Sequence, residues 1–176
     1  MRLFITGLKH CGKSTAAPLI AGRIGCAVAD SDDLVLSLVE STSVRQYYRE
    51  NGAGAFMEKE LEAVRGFVST HESFVLSLGG GAADNTQLMQ YMKHNGTIVY
   101  LRRDEEVLIQ RILSKGMPAF LDPADPRGSF HPIYIRRDGI YSQMADIVID
   151  LGSYGDKTAT AEHILSTIME HEKHGR

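Results

Sequence analysis

Long apolar runs are missing from this chain, and so is any surplus of positive charge. No uninterrupted hydrophobic stretch approaches the ~18–20 residues that span a bilayer, and the N-terminus enters Arg2-Leu3-Phe4-Ile5-Thr6-Gly7 without the apolar core of a signal peptide. Those absences exclude a helical membrane protein and lead us to expect a cytoplasmic one. Cysteine is scarce: Cys11 and Cys26 form neither a Cys-x-x-Cys nor a Cys/His metal spacing, so neither a disulfide framework nor a zinc site is indicated. Nineteen Lys+Arg against 22 Asp+Glu leave a net charge of −3, which offers no bulk attraction for nucleic acid or an anionic membrane. Internal repeats and low-complexity linkers are also lacking, so the 176 residues are expected to form a single domain.

What is present is 43% hydrophobic residues, enough for one sizeable core, arranged in an alternating pattern. Short apolar, β-branched runs at 3–6, 26–29, 74–78, 97–101 and 146–150 predict five strands. Segments with helical periodicity separate them: 13–24, 32–40, 43–51, 56–70, 85–94, 105–114 and 133–144, followed by a closing helix with Ala161, Ile164, Leu165, Ile168 and Met169 on one face. Because the strand runs are continuously apolar, they suit an α/β fold with a parallel sheet covered by helices on both faces. Four of the five prolines fall between 118 and 132, with Gly116 and Gly128, predicting a long surface loop. A loop of that length in a compact domain is either a plain connector or a lid, and we place a lid at about 115–130.

Gly7-Leu8-Lys9-His10-Cys11-Gly12-Lys13-Ser14-Thr15 fits the phosphate-loop pattern G-x-x-x-x-G-K-[ST] and lies between the first strand and the first helix. Gly7 and Gly12 let backbone N–H groups curl around phosphate, and the helix N-terminus, with Thr15 in its first turn, adds its unpaired donors. Lys13 is expected to reach the β- and γ-phosphates of ATP, and the Ser14 hydroxyl to bind Mg²⁺. Cys11 and Cys26 read as a small filler and a core residue.

A phosphate loop names a nucleotide and leaves the reaction open. Asp30 and Asp32 close the second strand, where alternate positions on extended backbone point the same way. Asp30 then suits the outer shell of Mg²⁺ and Asp32 the proton of an attacking hydroxyl, with helix capping as the plainer role. Gly79-Gly80-Gly81 ends the third strand, which lets a polyhydroxy ligand lie against main-chain donors, or simply makes a tight packing turn. Arg136 and Arg137 are adjacent on a helix after the lid. Adjacent helical residues diverge, so one of them is expected to face the site and grip a carboxylate or the transferring phosphoryl group. Arg111, on the helix before the lid, is a candidate to flank adenine or a plain surface residue.

This ordered set resembles the shikimate kinase family, over nearly the whole chain: the phosphate loop, Asp30-x-Asp32, the glycine triplet after an apolar strand, and Arg137-x-x-x-Tyr141. The resemblance implies a nucleoside-monophosphate-kinase-like fold with strand order 2-3-1-4-5, and ATP- and Mg²⁺-dependent phosphorylation of the 3-hydroxyl of shikimate, a step of aromatic amino acid biosynthesis, by a monomer. It implies that Lys13 and Ser14 serve phosphate and metal, Asp30 the metal through water, Asp32 the reacting hydroxyl, Gly79, Gly80 and Gly81 the acceptor, and Arg137 its carboxylate. Two positions depart from the family pattern. Met57 stands where Gly52-x-x-x-Phe56-x-x-x-Glu60 should carry an arginine, and Met117 stands at the arginine of the lid's Arg-Pro. Losing a charge-assisted bond to a buried carboxylate costs ~1.5–3 kcal/mol, one to two powers of ten in affinity. Compensation by Arg127, Lys115, Arg45 or Lys59, an acceptor of another kind such as a different sugar acid or polyol, and a nucleotide-binding module without turnover are the three explanations open at this point.

Overall fold

The computed structural model describes residues 1–118, 120–152 and 156–174. Five parallel strands, β1 (Arg2–Thr6), β2 (Ala27–Asp30), β3 (Phe74–Ser77), β4 (Thr97–Arg102) and β5 (Ile147–Asp150), form one sheet in the order β2-β3-β1-β4-β5. The sheet pairs Arg2 with Phe74 and Leu3 with Thr97 on either side of β1. Among the described residues, seven helices connect and cover it: α1 (Lys13–Ile24), α2 (Ser31–Leu38), α3 (Val44–Thr70), α4 (Thr86–Asn95), α5 (Glu105–Ser114), α6 (Pro126–Met144) and α7 (Lys157–His174). This is the expected architecture.

The three central strands carry continuous apolar runs because both of their faces are covered: Leu3, Phe4, Ile5, Phe74, Val75, Leu76, Ile98, Val99, Tyr100 and Leu101 are fully buried. The edges differ from the sequence expectation. Val28 of β2 is 44% exposed and Val148 of β5 is 38% exposed, so each edge strand has a partly wetted face. Met169 also leaves the expected face of α7, while Ala161, Ile164 and Ile168 stay in the core. Cys11 is buried, and Cys26 is half-buried at the core margin.

Two helix boundaries matter for the site. The helices predicted at 43–51 and 56–70 run as one element, α3, broken at Gly52, whose φ of 82° lies outside helical geometry. More consequentially, α6 begins at Pro126 rather than near 133. Asp125 caps it by accepting a bond from Gly128 N at 2.9 Å, and proline is favourable at a first helical position, where its missing N–H is no loss. Residues 115–118 and 120–125, between α5 and α6, are therefore non-helical, and Arg127, Gly128 and Pro132 belong to a helix. The proline cluster at 118–132 was read as loop throughout, whereas Pro126 starts a helix and Pro132 lies within it. No helix among the described residues is long and apolar enough to cross a membrane.

Candidate active site

The parallel arrangement puts the C-terminal ends of all five strands on one edge, and the strand order reverses at β1, which opens a crevice beside its C-terminal end. The segment 7–12 leaves β1 there. Gly7 has φ 146°, and a side chain on it would meet Leu101 O and Cys11 Sγ, each at 2.7 Å, so only glycine lets the loop pass this close to β4. Lys13 opens α1 and is only 7% exposed; its Nζ donates to Gly7 O at 2.8 Å and Leu8 O at 3.0 Å, folded back across its own loop. Thr15 N bonds Gly12 O at 3.2 Å in the first helical turn. His10 takes φ 65°, a strained choice for a residue with a Cβ. Burial and the charges of Lys115, Lys9, Lys13 and Arg111 hold its imidazole below the ordinary histidine range. That concentration of cations marks the loop as a place for an anion.

Two further residues brace the loop. Arg111 of α5 donates to His10 O at 3.1 Å, which brings it to the nucleotide loop. Arg103, which the sequence reading passed over, is nearly buried and donates to Cys11 O at 3.3 Å and Gly152 O at 3.2 Å. Its only sequence signal was its position just past β4, on the ligand-binding edge.

The acidic pair takes its place by a different route from the one expected. Asp30 ends β2, but Asp32 lies in the first turn of α2, so strand alternation does not align them. A cap does: Asp30 Oδ1 accepts from Asp32 N at 3.1 Å while Oδ2 accepts from Ser14 Oγ at 3.0 Å. One carboxylate thus joins the phosphate loop to the start of α2. Ser14 Oγ and Asp30 form a hard-oxygen donor pair beside Lys13, a set that suits Mg²⁺, which keeps most of its water and takes few protein ligands. Burial, and secondarily the Asp30 charge, raise Asp32 above the ordinary aspartate range, against the opposing pull of Lys13 and Lys9.

The glycine triplet draws these parts together. A Cβ on Gly79 would lie 2.9 Å from Asp32 Oδ1, and one on Gly80 would lie 2.7 Å from Lys9 N, inside the phosphate loop. At Gly81 the same position is 3.5 Å from Arg137 Nη2. The three missing side chains therefore leave room, in succession, for the acidic group, the nucleotide loop and the arginine. Gly79 N is held by Ser31 Oγ at 2.9 Å, and Tyr141 OH accepts from Ala83 N at 3.1 Å, fixing the triplet from both sides.

The adjacent arginines diverge as expected but meet again on one carboxylate. Arg137 turns inward and Arg136 outward, with side chains 21% and 54% exposed, yet both bond Asp84, at 2.8 and 2.6 Å. Of the cations considered as substitutes for the missing arginines, Arg127 pairs with Glu106 of α5 and Lys59 with Glu62 on the outside of α3. Met57 is half-buried and contributes its carbonyl, which accepts from Asn85 Nδ2 at 2.9 Å; Met117 is exposed.

Behind Gly79 lies Glu60, a carboxyl that the sequence marked only as the end of a family pattern. It is 2% exposed and accepts from Asn85 Nδ2 at 3.0 Å. Burial, partly offset by the Asn85 bond and reinforced by the Asp32 charge, pushes it up to about 7. Between its ordinary 4.5 and that value the folded chain binds more protons than the unfolded chain, so this group's effect is to lower stability as pH rises through that window. The full penalty above neutrality is about 3 kcal/mol. Glu60→Gln removes it, so urea unfolding is expected to show a gain of ~2–3 kcal/mol at pH 8 and little change at pH 4.5. An equal effect at both pH values would contradict this account.

Comparison with known proteins agrees with the geometry. Residues 9–169 match the family model described as shikimate kinase. A shikimate kinase of Thiobacillus denitrificans is 30% identical over 148 residues, covering 84% of this chain and 80% of that protein. Among solved structures, a shikimate kinase from Aquifex aeolicus has a TM-score of 0.78 at 25% identity, covering 98% of this chain and 99% of its own. A shikimate kinase from Acinetobacter baumannii in complex with shikimate has a TM-score of 0.85 at 23% identity, covering 97% and 94%, which establishes the shared fold. Fold, site and relatives together place this chain in the shikimate kinase family, whose members are ATP-dependent phosphotransferases acting on a hydroxyl group.

Proposed function

We propose that this chain transfers the terminal phosphoryl group of ATP to the 3-hydroxyl of shikimate. The observation that carries the reading is the convergence at Gly79-Gly80-Gly81, where Asp32, the phosphate loop and Arg137 approach within a side chain's length of three consecutive residues. A hydroxyl near Gly79 would then lie beside a base, with a phosphate-binding loop and a guanidinium as its neighbours.

Gly7, Gly12 and Thr15 supply backbone donors to the phosphates, and Lys13 exchanges the carbonyls of Gly7 and Leu8 for phosphate oxygens. Ser14 and Asp30 hold Mg²⁺, Asp30 through water; when bound, the ion neutralises charge on the β- and γ-phosphates. Asp32 accepts the proton of the attacking hydroxyl as the new O–P bond forms and the bond from the γ-phosphorus to the bridging oxygen breaks, with ADP as the leaving group. Gly79, Gly80 and Gly81 line the acceptor, Arg137 binds its carboxylate, and Arg111 flanks the nucleotide. The segment 115–125 acts as a lid over the nucleotide. Phosphoryl transfer needs positioning and charge stabilisation more than covalent chemistry, which is what this arrangement supplies.

With Arg127 and Lys59 each paired to a glutamate, Lys115 and Lys9 are the cations left beside the phosphate loop to offset Met117: both charges act on His10, and the Lys9 backbone abuts Gly80. The enzyme is read as a cytoplasmic monomer of one domain, with a small-molecule acceptor and neither nucleic acid nor membrane as partner.

A coupled ADP-release assay with Mg·ATP tests the reading. Shikimate is expected to raise ADP release well above the acceptor-free rate. Turnover of another hydroxy acid or polyol without any of shikimate would overturn it.

A further inference from the structure

The short 3-10 turn Ala82–Asp84 after the glycine triplet ends in a carboxylate that the sequence offered no reason to place in the site. Asp84 takes bonds on both oxygens: Oδ2 from Arg137 Nη2 at 2.8 Å and Oδ1 from Arg136 Nη1 at 2.6 Å. Burial alone would push this carboxyl up, but the two guanidinium bonds outweigh burial and hold it below the usual carboxylate range. The Arg137 nitrogen engaged here is the one lying 3.5 Å from the Cβ position of Gly81, on the acceptor side. On the same edge of the guanidinium, Arg137 Nε is buried with no hydrogen-bond partner among the described residues.

We infer that Asp84 is a specificity-determining residue, an internal carboxylate seated on Arg137 that the acceptor's carboxylate has to displace. The inference rests on the proposed reading that the acceptor's carboxylate binds Arg137. Three features make the exchange feasible. Arg136 holds the other oxygen of Asp84, so releasing Arg137 forfeits one charge-assisted bond rather than two. The unpaired Nε gives an incoming carboxylate a second donor beside Nη2, completing the two-pronged geometry that guanidinium groups favour. Finally, Met57 at the position of the family's other arginine leaves Arg137 without an obvious cationic helper, so the competition at this one group weighs heavily in choosing the acceptor. The consequence is a site that accepts a carboxylate yet discriminates weakly between an acid and its uncharged counterpart.

Steady-state kinetics with shikimate and its methyl ester, at saturating Mg·ATP, test this. The intact protein is expected to favour the acid by less than about tenfold in kcat/KM. Asp84→Asn keeps the shape and removes the competing charge. It should lower KM for the acid by about tenfold, leave KM for the ester within about twofold, and change kcat little. Asp84→Ser, expected to act in the same direction, checks that the effect follows charge. Preference for the acid above about a hundredfold in the intact protein, a measurement needing no variant, would overturn the inference. So would an unmoved KM, or parallel shifts for acid and ester, in variants whose melting temperatures match the parent; shikimate turnover by the parent would then leave the Arg137 reading standing. If neither parent nor variants phosphorylate shikimate while another hydroxy compound is phosphorylated, both readings fall together.

Discussion

Lys13→Met is expected to lower kcat/KM by about 10²–10³-fold while leaving the fold intact. The lysine is buried and turned onto the carbonyls of Gly7 and Leu8, so its charge already sits where phosphate oxygens are to arrive. Methionine fills much of the same volume without the buried charge, and removing a desolvated ammonium held by the carbonyls of Gly7 and Leu8 and the Cys11 sulfur, with no carboxylate bonded to it among the described residues, is near neutral for stability. Activity and stability should therefore separate: turnover collapses, whereas the melting temperature stays within a few degrees or rises. A large fall in melting temperature with nearly normal turnover would assign Lys13 to loop structure instead of phosphoryl transfer.

Asp32→Asn is the second large effect, with an expected loss of about 10²–10⁴-fold in kcat. The amide retains the shape of the side chain against Gly79 but cannot accept a proton. Because burial and the Asp30 charge raise the Asp32 carboxyl, its ionised, proton-accepting form is lost at a higher pH than for an ordinary aspartate. Activity should fall as pH decreases through that raised value, giving an acid limb that the asparagine variant lacks. A variant that keeps the limb, or loses less than about tenfold, would move the base elsewhere. Glu60 is the neighbouring candidate for an acid limb, and Glu60→Gln distinguishes the two.

The sheet was legible because three central strands are covered on both faces, and continuous apolar runs such as Phe74–Leu78 have few other uses. Strand order was not readable from periodicity; it came with the family resemblance and agrees with the pairing observed. The phosphate loop was legible for another reason: its residue types are dictated by backbone geometry at a single turn. Sequence reasoning failed where one residue can serve two local structures. Pro126 was read as a loop residue, but a proline after a capping aspartate starts a helix as readily as it ends one, and Pro132 then lies inside that helix. Asp30 and Asp32 were correctly paired for the wrong reason, since a cap and not strand alternation joins them. Asp84 carried no local mark, and Glu60 and Arg103 carried only weak ones, the end of a family pattern and a place just past β4. Their significance lies in contacts made across 53, 25 and 92 positions of chain, which only the tertiary arrangement brings together.

The local deficit of positive charge at Met57 and Met117 gains physical content from these contacts. Two of the cations considered as substitutes are tied to carboxylates away from the acceptor, and the inward arginine that remains shares its charge with Asp84. The site is therefore arranged to transfer phosphate to a hydroxyl while gripping an acidic acceptor lightly. Phosphorus-31 NMR of the product from shikimate and Mg·ATP tests the central claim most directly. The account predicts one new phosphomonoester resonance, coupled to the proton on carbon 3 and growing in step with ADP. A phosphomonoester at another hydroxyl, or ADP formed with inorganic phosphate alone, would contradict it.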